Sequence, residues 1–335
     1  MARRLGLRYI SRAGLTIRRV RRGKGWSYLS ASGRTIRNPS VVRRLSRLAV
    51  PPAYEAVLYA PDPAAHLQAV GRDAAGRLQY RYHPDWEKVR EQRKARRLAR
   101  LAENLPRIRR GLGQHLGGAE PTRELALSAL IELVSCSAIR AGREAYLKQH
   151  GTRGAATLLK SNVVVEGDHI TLRFRGKGSK VVEKEVTCPR LTGALEVLRS
   201  LPGRRLFQYR NSDGVVRPVR ARDANAFLRE IAGVNISLKD FRTLIASASI
   251  LEMLARAKPA QSERQRRKQV LEAIRVAADD LHNTPAICRR SYAHGAVIAA
   301  FEDGVLERFA AALASTRSPA RRVKVLAQIV APAAS

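Results

Sequence analysis

Cysteine is scarce in this sequence, with only three among 335 residues. Cys136, Cys188 and Cys288 stand far apart, and no CxxC motif or Cys/His cluster accompanies them. This pattern predicts neither a structural zinc site nor a disulfide framework, and it is typical of a protein from a reducing compartment.

Long hydrophobic runs are missing as well. No apolar stretch approaches the roughly 20 residues that a membrane-spanning helix needs. A signal peptide requires a hydrophobic segment, and none follows the charged start Met1-Ala2-Arg3-Arg4. We therefore expect a soluble, cytoplasmic protein that has no membrane partner.

Acidic residues are the third shortage, since 28 Asp and Glu face 63 Lys and Arg, for a net charge of +35. Such an excess indicates a polyanionic partner, and the predominance of arginine suits bidentate contacts with phosphate. Ribosomal and histone-like proteins share the charge but seldom combine it with 45% hydrophobic residues over this length. A folded protein that binds nucleic acid is therefore favoured. No P-loop motif or cluster of acidic residues indicates a nucleotide or a metal cofactor.

The periodicity of apolar residues predicts an α+β protein with three parts. Residues 1–83 alternate short β-type runs with turn signals, which predicts a small domain built on an antiparallel sheet. Residues 84–110 form a basic linker, helical from Trp86 to about Asn104. Residues 111–335 are predicted to form a larger, mainly helical domain with a three-stranded sheet. The predicted strands of that sheet are Asn162–Glu166, His169–Arg175 and Lys180–Thr187. The predicted helices of that domain cover residues 125–139, 142–149, 191–199, 221–232, 238–255, 264–281, 284–292, 305–313 and 318–329.

The stretch Thr284–Tyr292, near the C-terminal end of the sequence, contains a candidate catalytic residue, Tyr292. Thr284 is a favourable N-cap and Pro285 suits the first helical position, which predicts a short helix that includes Tyr292. Tyr292 follows Arg289 and Arg290, so its phenol lies on a rigid element beside guanidinium groups and can attack a phosphodiester. The alternative is an ordinary amphipathic core tyrosine with its hydroxyl at the surface.

A second notable stretch lies in the N-terminal domain, at Arg72 and Gln79–Tyr82. Tyr80 and Tyr82 are two positions apart, so on a strand they share one face. Together with Arg72 and Gln79 they can contact the edges and phosphates of duplex DNA. Packing of the two rings on the sheet is an equally good interpretation.

Further candidate residues are dispersed along the helical part. Arg140 lies at a break between two helices, Lys177 at the tip of a hairpin, Arg242 just inside a helix, and Asn283 shortly before Tyr292. Their order and local contexts resemble those of the type IB DNA topoisomerases, in the bacterial and poxvirus branch. The resemblance extends from about Leu15 to Ile329 and includes the Pro51-Pro52-Ala53-Tyr54, Gly71-Arg72-Asp73 and Gln79-Tyr80-Arg81-Tyr82 stretches.

The resemblance implies a role for each of these residues. Tyr292 is the nucleophile that forms a 3′-phosphotyrosyl bond, Arg140 and Arg242 stabilise the transition state, and Lys177 is the general acid. Asn283 stands where the poxvirus enzymes have a histidine, so it can donate a hydrogen bond to a phosphate oxygen but cannot transfer a proton. The residues expected to bind DNA are Arg72, Gln79, Tyr80, Tyr82, Arg143, Lys239, Arg289 and Arg290.

The same resemblance implies an enzyme that relaxes supercoiled double-stranded DNA without ATP, metal or another cofactor. We expect a monomer whose two domains form a clamp around the duplex, associated with the nucleoid. The sequence shows no dedicated base that would activate Tyr292.

Two other interpretations remain open at the level of sequence. A tyrosine recombinase has the same nucleophile, but it usually has His-x-x-Arg where this chain has Lys239-Asp240-Phe241-Arg242. In a non-catalytic architectural protein, the arginines would serve only as phosphate contacts.

Overall fold

The computed structural model describes residues 2–314 and 319–334. The chain divides into two compact units, Met1–Arg93 and Lys94–Ser335. Each unit contains a hydrophobic core of its own. The predicted start of the last helix, Ser318, lies outside the described residues.

The first unit is organised around a five-stranded antiparallel sheet with the order β2-β1-β3-β4-β5. Its strands are β1 (Ile17–Arg22), β2 (Gly25–Leu29), β3 (Glu55–Tyr59), β4 (Leu67–Arg72) and β5 (Leu78–Tyr82). One helix, α1 (Pro39–Arg47), begins after Asn38, whose side chain accepts hydrogen bonds from the first turn. Leu45 of α1 packs with Tyr28 and Tyr59 of the sheet to form the core.

The arginine-rich N-terminal segment is more than a basic surface, because it contains strand β1. Arg19 of this strand donates hydrogen bonds to the carbonyl oxygens of Val50, Pro51 and Tyr54, at 2.9, 3.0 and 2.7 Å. Its guanidinium also lies 4.1 Å from the centre of the Trp26 ring. Arg19 therefore stabilises the proline turn before β3, an internal role that composition alone does not indicate.

The second unit is mainly helical. Helix α2 (Trp86–Leu116) contains the boundary between the units. The remaining helices are α3 (Arg123–Ser137), α4 (Glu144–His150), α5 (Pro189–Ser200), α6 (Ala221–Ala232), α7 (Leu238–Arg256), α8 (Glu263–Asp280), α9 (Pro285–Ser291), α10 (Gly295–Glu302), α11 (Glu307–Ala314) and α12 (Pro319–Ala334). A three-stranded antiparallel sheet has the order β6-β7-β8, with β6 (Val163–Glu166), β7 (His169–Arg175) and β8 (Val181–Thr187), and a small ribbon pairs β9 (Gln208–Arg210) with β10 (Val216–Pro218).

Helix α2 differs most from the prediction, since it runs twelve residues beyond Asn104 and passes through Pro106. A proline inside a helix normally interrupts it. Here the buried side chains Ile108, Leu112 and Leu116 continue the apolar face of α2 against the core. Burial of this face outweighs the local cost of the proline.

The fold class predicted from the sequence is confirmed: an N-terminal antiparallel sheet and a helical second unit that carries a three-stranded sheet. The prediction missed α10 and the β9–β10 ribbon. Helix α10 is short and almost wholly apolar, so it lacks the amphipathic period by which helices are recognised. Among the described residues, no helix combines the length and the apolar character needed to cross a bilayer.

The segment after α3 is shaped by close packing of two glycines. Gly154 lies so near this segment that a Cβ atom there would be 2.4 Å from the Arg140 carbonyl oxygen and 2.6 Å from the Gly142 nitrogen. The N–H groups of Ala155 and Ala156 donate to the carbonyl oxygens of Arg140 and Ala141, at 2.8 and 2.9 Å. The backbone on either side of the Arg140 side chain is therefore held in one position.

We expect Gly154→Ala to lower the free energy of unfolding by about 1–3 kcal/mol, because the methyl group must displace backbone rather than a movable side chain. Urea denaturation of the whole chain measures this change. Gly193→Ala is the matched control, since Gly193 lies in α5 and, among the described residues, no atom outside its own stretch of helix comes within 4 Å of the added Cβ. Alanine there should stabilise the helix by about 0.5–1 kcal/mol. Equal stability of the two variants would contradict the tight packing at Gly154.

Candidate active site

A cleft of about 490 Å³ in the second unit brings together residues that are remote in the sequence. Several of its lining side chains are cationic: Arg140, Arg143, Arg153, Lys177, Lys239 and Arg242. Tyr292 also lines this cleft. The cations come from the segment after α3, from the loop after α4, from the β7–β8 hairpin and from the start of α7, so that only the tertiary fold collects them.

The backbone at Tyr292 and Ala293 is held in place by two side chains from other helices. It lies directly after α9 as the C-cap residue, one position beyond the helix that was predicted to include it. The Ser247 hydroxyl donates to the Tyr292 carbonyl oxygen at 3.1 Å, and the Lys94 ammonium donates to the Ala293 carbonyl oxygen at 2.7 Å. The ring is buried, with 7% of its surface exposed. Sequence reasoning missed Lys94 and Ser247, because contacts to main-chain carbonyls leave no recognisable motif.

The electrostatic surroundings of Tyr292 favour its phenolate. Burial raises the pKa of the phenol, but Arg242, Arg140 and Lys239 together outweigh this effect and hold the pKa below its ordinary value of 10.0. The Arg242 guanidinium lies 4.9 Å and the Lys239 ammonium 5.8 Å from the ring centre. Neighbouring cations thus lower the pKa of Tyr292.

Arg242 is the most deeply buried cation of the cleft, at 3% exposure. Its guanidinium donates to the Ala138 carbonyl oxygen and, at 3.0 Å, to the Leu281 carbonyl oxygen. Its Nε has no hydrogen-bond acceptor in the part of the chain that is described. Burial lowers the pKa of Arg242, but arginine starts high enough to remain charged. A cation on the wall of a cleft is suited to an anionic ligand.

Asn283 contacts Arg140. The side-chain oxygen of Asn283 accepts a hydrogen bond from the Arg140 guanidinium, and its Nδ2 lies 3.3 Å from the Leu281 carbonyl oxygen. The expectation from sequence was a hydrogen bond from Asn283 to a phosphate oxygen. In this arrangement the oxygen of the amide orients Arg140, and one amide hydrogen is directed to Leu281.

Lys177 lies at the tip between β7 and β8, in the predicted hairpin. Its side chain is exposed and lines the cleft. Gly178 beside it has φ +74, a conformation that other residues rarely adopt. Within residues 2–314 and 319–334, the Lys177 ammonium has no hydrogen-bond or ion-pair partner.

The other residues expected to bind DNA in this unit occupy two places. Arg143 and Lys239 line the cleft beside Arg140 and Arg242. Arg289 and Arg290 are exposed on α9 and do not line it.

The residues expected to bind DNA in the first unit lie on β4 and β5. Tyr80 and Tyr82 share a face, are 44% and 41% exposed, and stack with their ring centres 6.2 Å apart. Arg72 donates to the Gly76 carbonyl oxygen at 2.9 Å, and Gln79 donates to an Asp73 carboxylate oxygen at 2.8 Å. The rings therefore pack on each other and remain accessible, so the two interpretations from sequence are compatible.

Comparison with known proteins gives two family matches and one relative. Residues 83–314 match the family described as "Eukaryotic DNA topoisomerase I, catalytic core", and residues 25–73 match "Bacterial DNA topoisomerase IB, N-terminal domain". The chain is also similar to DNA topoisomerase 1B of Acanthamoeba polyphaga mimivirus, at 28% identity over 258 residues, which cover 75% of this chain and 77% of the viral protein. Because the first match covers well over half of the chain, the resemblance inferred from sequence is confirmed: the chain belongs to the type IB DNA topoisomerases, isomerases that relax supercoiled DNA.

Proposed function

We propose that Tyr292, Arg140, Arg242, Lys177 and Asn283 carry out the strand cleavage and rejoining by which this chain relaxes DNA. The observation that supports these roles most directly is the single cleft in which the Tyr292 phenol and a group of cations meet. In this mechanism the phenolate attacks a phosphodiester, forms a 3′-phosphotyrosyl bond and releases the 5′ oxygen of the other strand end.

The two arginines stabilise the transition state. Attack on phosphorus places additional negative charge on the non-bridging oxygens, and guanidinium groups match that charge with paired donors. The position of Arg242 on the wall of the cleft, beside the Tyr292 ring, supports its contact with phosphate. Asn283 positions Arg140 through the hydrogen bond to its guanidinium.

Lys177 donates the proton that the leaving 5′ oxygen requires. An alkoxide is a poor leaving group unless it is protonated as the bond breaks. The location of Lys177 at an exposed hairpin tip on the cleft supports this role, because its flexible side chain can reach the leaving side of the phosphate. In rejoining, the same residue accepts the proton from the 5′ hydroxyl.

The covalent intermediate conserves the energy of the phosphodiester bond, so rejoining proceeds without ATP. The arginines supply the positive charge that a divalent metal would otherwise provide at phosphorus. While Tyr292 holds the 3′ end, the free end rotates about the intact strand and supercoils relax.

DNA is bound by both parts of the chain in this proposal. Residues 1–83 form a DNA-binding domain, the basic segment 84–110 joins it to the catalytic domain 111–335, and a monomer encloses the duplex as a clamp. The net charge of +35 and the exposed side chains of Tyr80 and Tyr82 support such contacts. In this proposal the protein is an enzyme of the bacterial type that acts in the cytoplasm and is associated with the nucleoid, and its positive charge favours that association.

We expect the wild-type chain to relax a supercoiled plasmid in EDTA without ATP, and a denaturant quench to trap a protein–DNA adduct. Tyr292→Phe should bind DNA with unchanged affinity but give neither relaxation nor adduct, because the nucleophilic oxygen is gone. Tyr209→Phe is the matched control, since Tyr209 lies on β9 away from the cleft lining. Relaxation by Tyr292→Phe at the wild-type rate would refute the role of Tyr292.

For Lys177→Ala we expect single-turnover cleavage to slow by about 10²–10⁴-fold, the usual contribution of a general acid. A substrate whose leaving 5′ oxygen is replaced by sulfur should restore cleavage nearly to the wild-type rate, because a thiolate leaves without a proton. Lys180→Ala, on the same exposed loop but outside the cleft lining, serves as the control. An equal defect of Lys177→Ala on both substrates would exclude proton donation by Lys177.

The pH dependence of cleavage tests how Tyr292 is activated. Only the phenolate attacks, so the rate at saturating enzyme should rise with pH, with a midpoint below 10.0 because neighbouring cations lower the pKa of Tyr292. Lys239→Gln removes one of these cations, so the pKa and the midpoint should move upward. Lys268→Gln makes the same charge change on exposed α8 and should leave the midpoint unchanged. A midpoint unaffected by Lys239→Gln would show that Lys239 does not contribute to activation.

A further inference from the structure

Two cysteines that stand 52 positions apart in the sequence meet in the second unit. The sulfur atoms of Cys136 and Cys188 lie 2.7 Å apart, and both residues are free thiols. Non-bonded heavy atoms normally settle about 3.5–4.0 Å apart, whereas the bond of a disulfide is about 2.05 Å long. An approach of less than about 1 Å would therefore join the pair covalently.

The two thiols differ in access and acidity. Cys136 lies in the last turn of α3 and is half-buried, whereas Cys188 caps the start of α5 and is buried. The hydrogen bond from the Cys188 thiol lowers the pKa of Cys136, and the same hydrogen bond, together with burial, raises the pKa of Cys188. Cys136 is thus the more acidic thiol, on the more exposed of the two residues, and the one we expect to react first.

A buried carboxylate completes the surroundings of the pair. Glu132 precedes Cys136 by one helical turn on α3, and its Oε1 lies 4.0 Å from the sulfur of Cys188. It can accept the proton that Cys188 must lose before its sulfur reacts. Arg190 lies 3.9 Å from the same carboxylate oxygen.

These three side chains could also be considered as metal ligands, since their donor atoms all lie within 4.8 Å of one another. The spacing of the sulfurs argues against this. Two sulfurs 2.7 Å apart that both bound zinc at about 2.3 Å would subtend an angle of roughly 70°, far narrower than a tetrahedral site allows. Arg190 also competes with a cation for Glu132.

We propose that Cys136 and Cys188 form a dithiol–disulfide site that reacts with low-molecular-weight disulfides such as oxidised glutathione. The Cys136 thiolate attacks one sulfur of oxidised glutathione, which forms a mixed disulfide and releases one glutathione thiolate. Cys188 then loses its proton to Glu132, and its thiolate attacks the Cys136 sulfur and releases the second glutathione thiolate. In total two cysteine sulfurs are oxidised, and oxidised glutathione is reduced to two glutathione molecules after protonation.

A disulfide bond between Cys136 and Cys188 would join the end of α3 to the start of α5. Cys136 lies two residues before Ala138, whose carbonyl oxygen holds Arg242, so the cross-link would fasten the backbone that supports this cation. Neither thiol nor Glu132 lines the cleft that contains Tyr292. The reaction therefore does not depend on the cleavage chemistry, and the two proposals can fail separately.

The test uses the whole chain, reduced and then freed of reductant. After incubation with oxidised glutathione, the thiol count under denaturing conditions should fall from three to one, and non-reducing peptide mapping should identify a link between residues 136 and 188. The thermal midpoint should rise by roughly 5–10 °C, because the cross-link restricts the unfolded chain. Dithiothreitol should reverse both changes.

Cys288→Ala is the matched control. Cys288 is fully buried and does not belong to the close pair, so this variant should form the same link. Cys136→Ser and Cys188→Ser should each abolish the link and the rise of the thermal midpoint. Three remaining thiols, or a stable glutathione adduct without a link, would overturn the proposal. So would one equivalent of zinc retained by the reduced protein and protecting both thiols, which would indicate a metal site instead. Peptide mapping of the wild-type chain decides the matter even where a variant does not fold.

Discussion

The hydrogen bonds and electrostatic contacts of Arg242 connect the elements of the candidate active site. This buried guanidinium donates to carbonyl oxygens at the end of α3 and after α8, and its charge lies close to the Tyr292 ring. Removal of such a cation from water is costly unless its donors find partners. The two carbonyl oxygens reduce that cost, and they also fix the position of the charge relative to the phenol. One side chain thus stabilises the packing of the helices and lowers the pKa of Tyr292.

The shortage of acidic residues has a local counterpart in the cleft. The described residues that line it include several cations and no carboxylate. Like charges collected in a partly buried space repel one another, and Arg140 and Arg242 are held by hydrogen bonds to uncharged oxygens rather than by ion pairs. In the proposed mechanism, a phosphate that enters the cleft supplies the missing counter-charge, and it relieves this repulsion most as negative charge develops in the transition state. The proposed mechanism thus makes use of an arrangement of charges that is unfavourable without DNA.

Buried polar contacts give two residues structural roles that were not predicted from the sequence. Arg19 belongs to a basic segment, but its three bonds to carbonyl oxygens make it part of the sheet domain. Asn283 was expected to donate a hydrogen bond to a phosphate oxygen, and its side-chain oxygen also accepts a hydrogen bond from Arg140, a contact that was not predicted. In both cases the hydrogen-bond partners are far away in the sequence, and the residue type is suited both to a contact with phosphate and to a contact inside the protein. Tertiary packing likewise determines the length of helix α2, because burial of its apolar face stabilises the helix through Pro106.

The amino-acid sequence by itself determined the features that depend on local physics. Turn residues and period-2 patterns placed β7 and the hairpin with Lys177, and Thr284 with Pro285 placed the start of α9. The charge excess indicated a polyanionic partner. The tertiary structure alone decided which side chains meet: Lys94 and Ser247 at the backbone of Ala293 and Tyr292, and Cys136 beside Cys188. Such contacts depend on how elements remote in sequence pack against one another, and no local spacing or propensity encodes that packing.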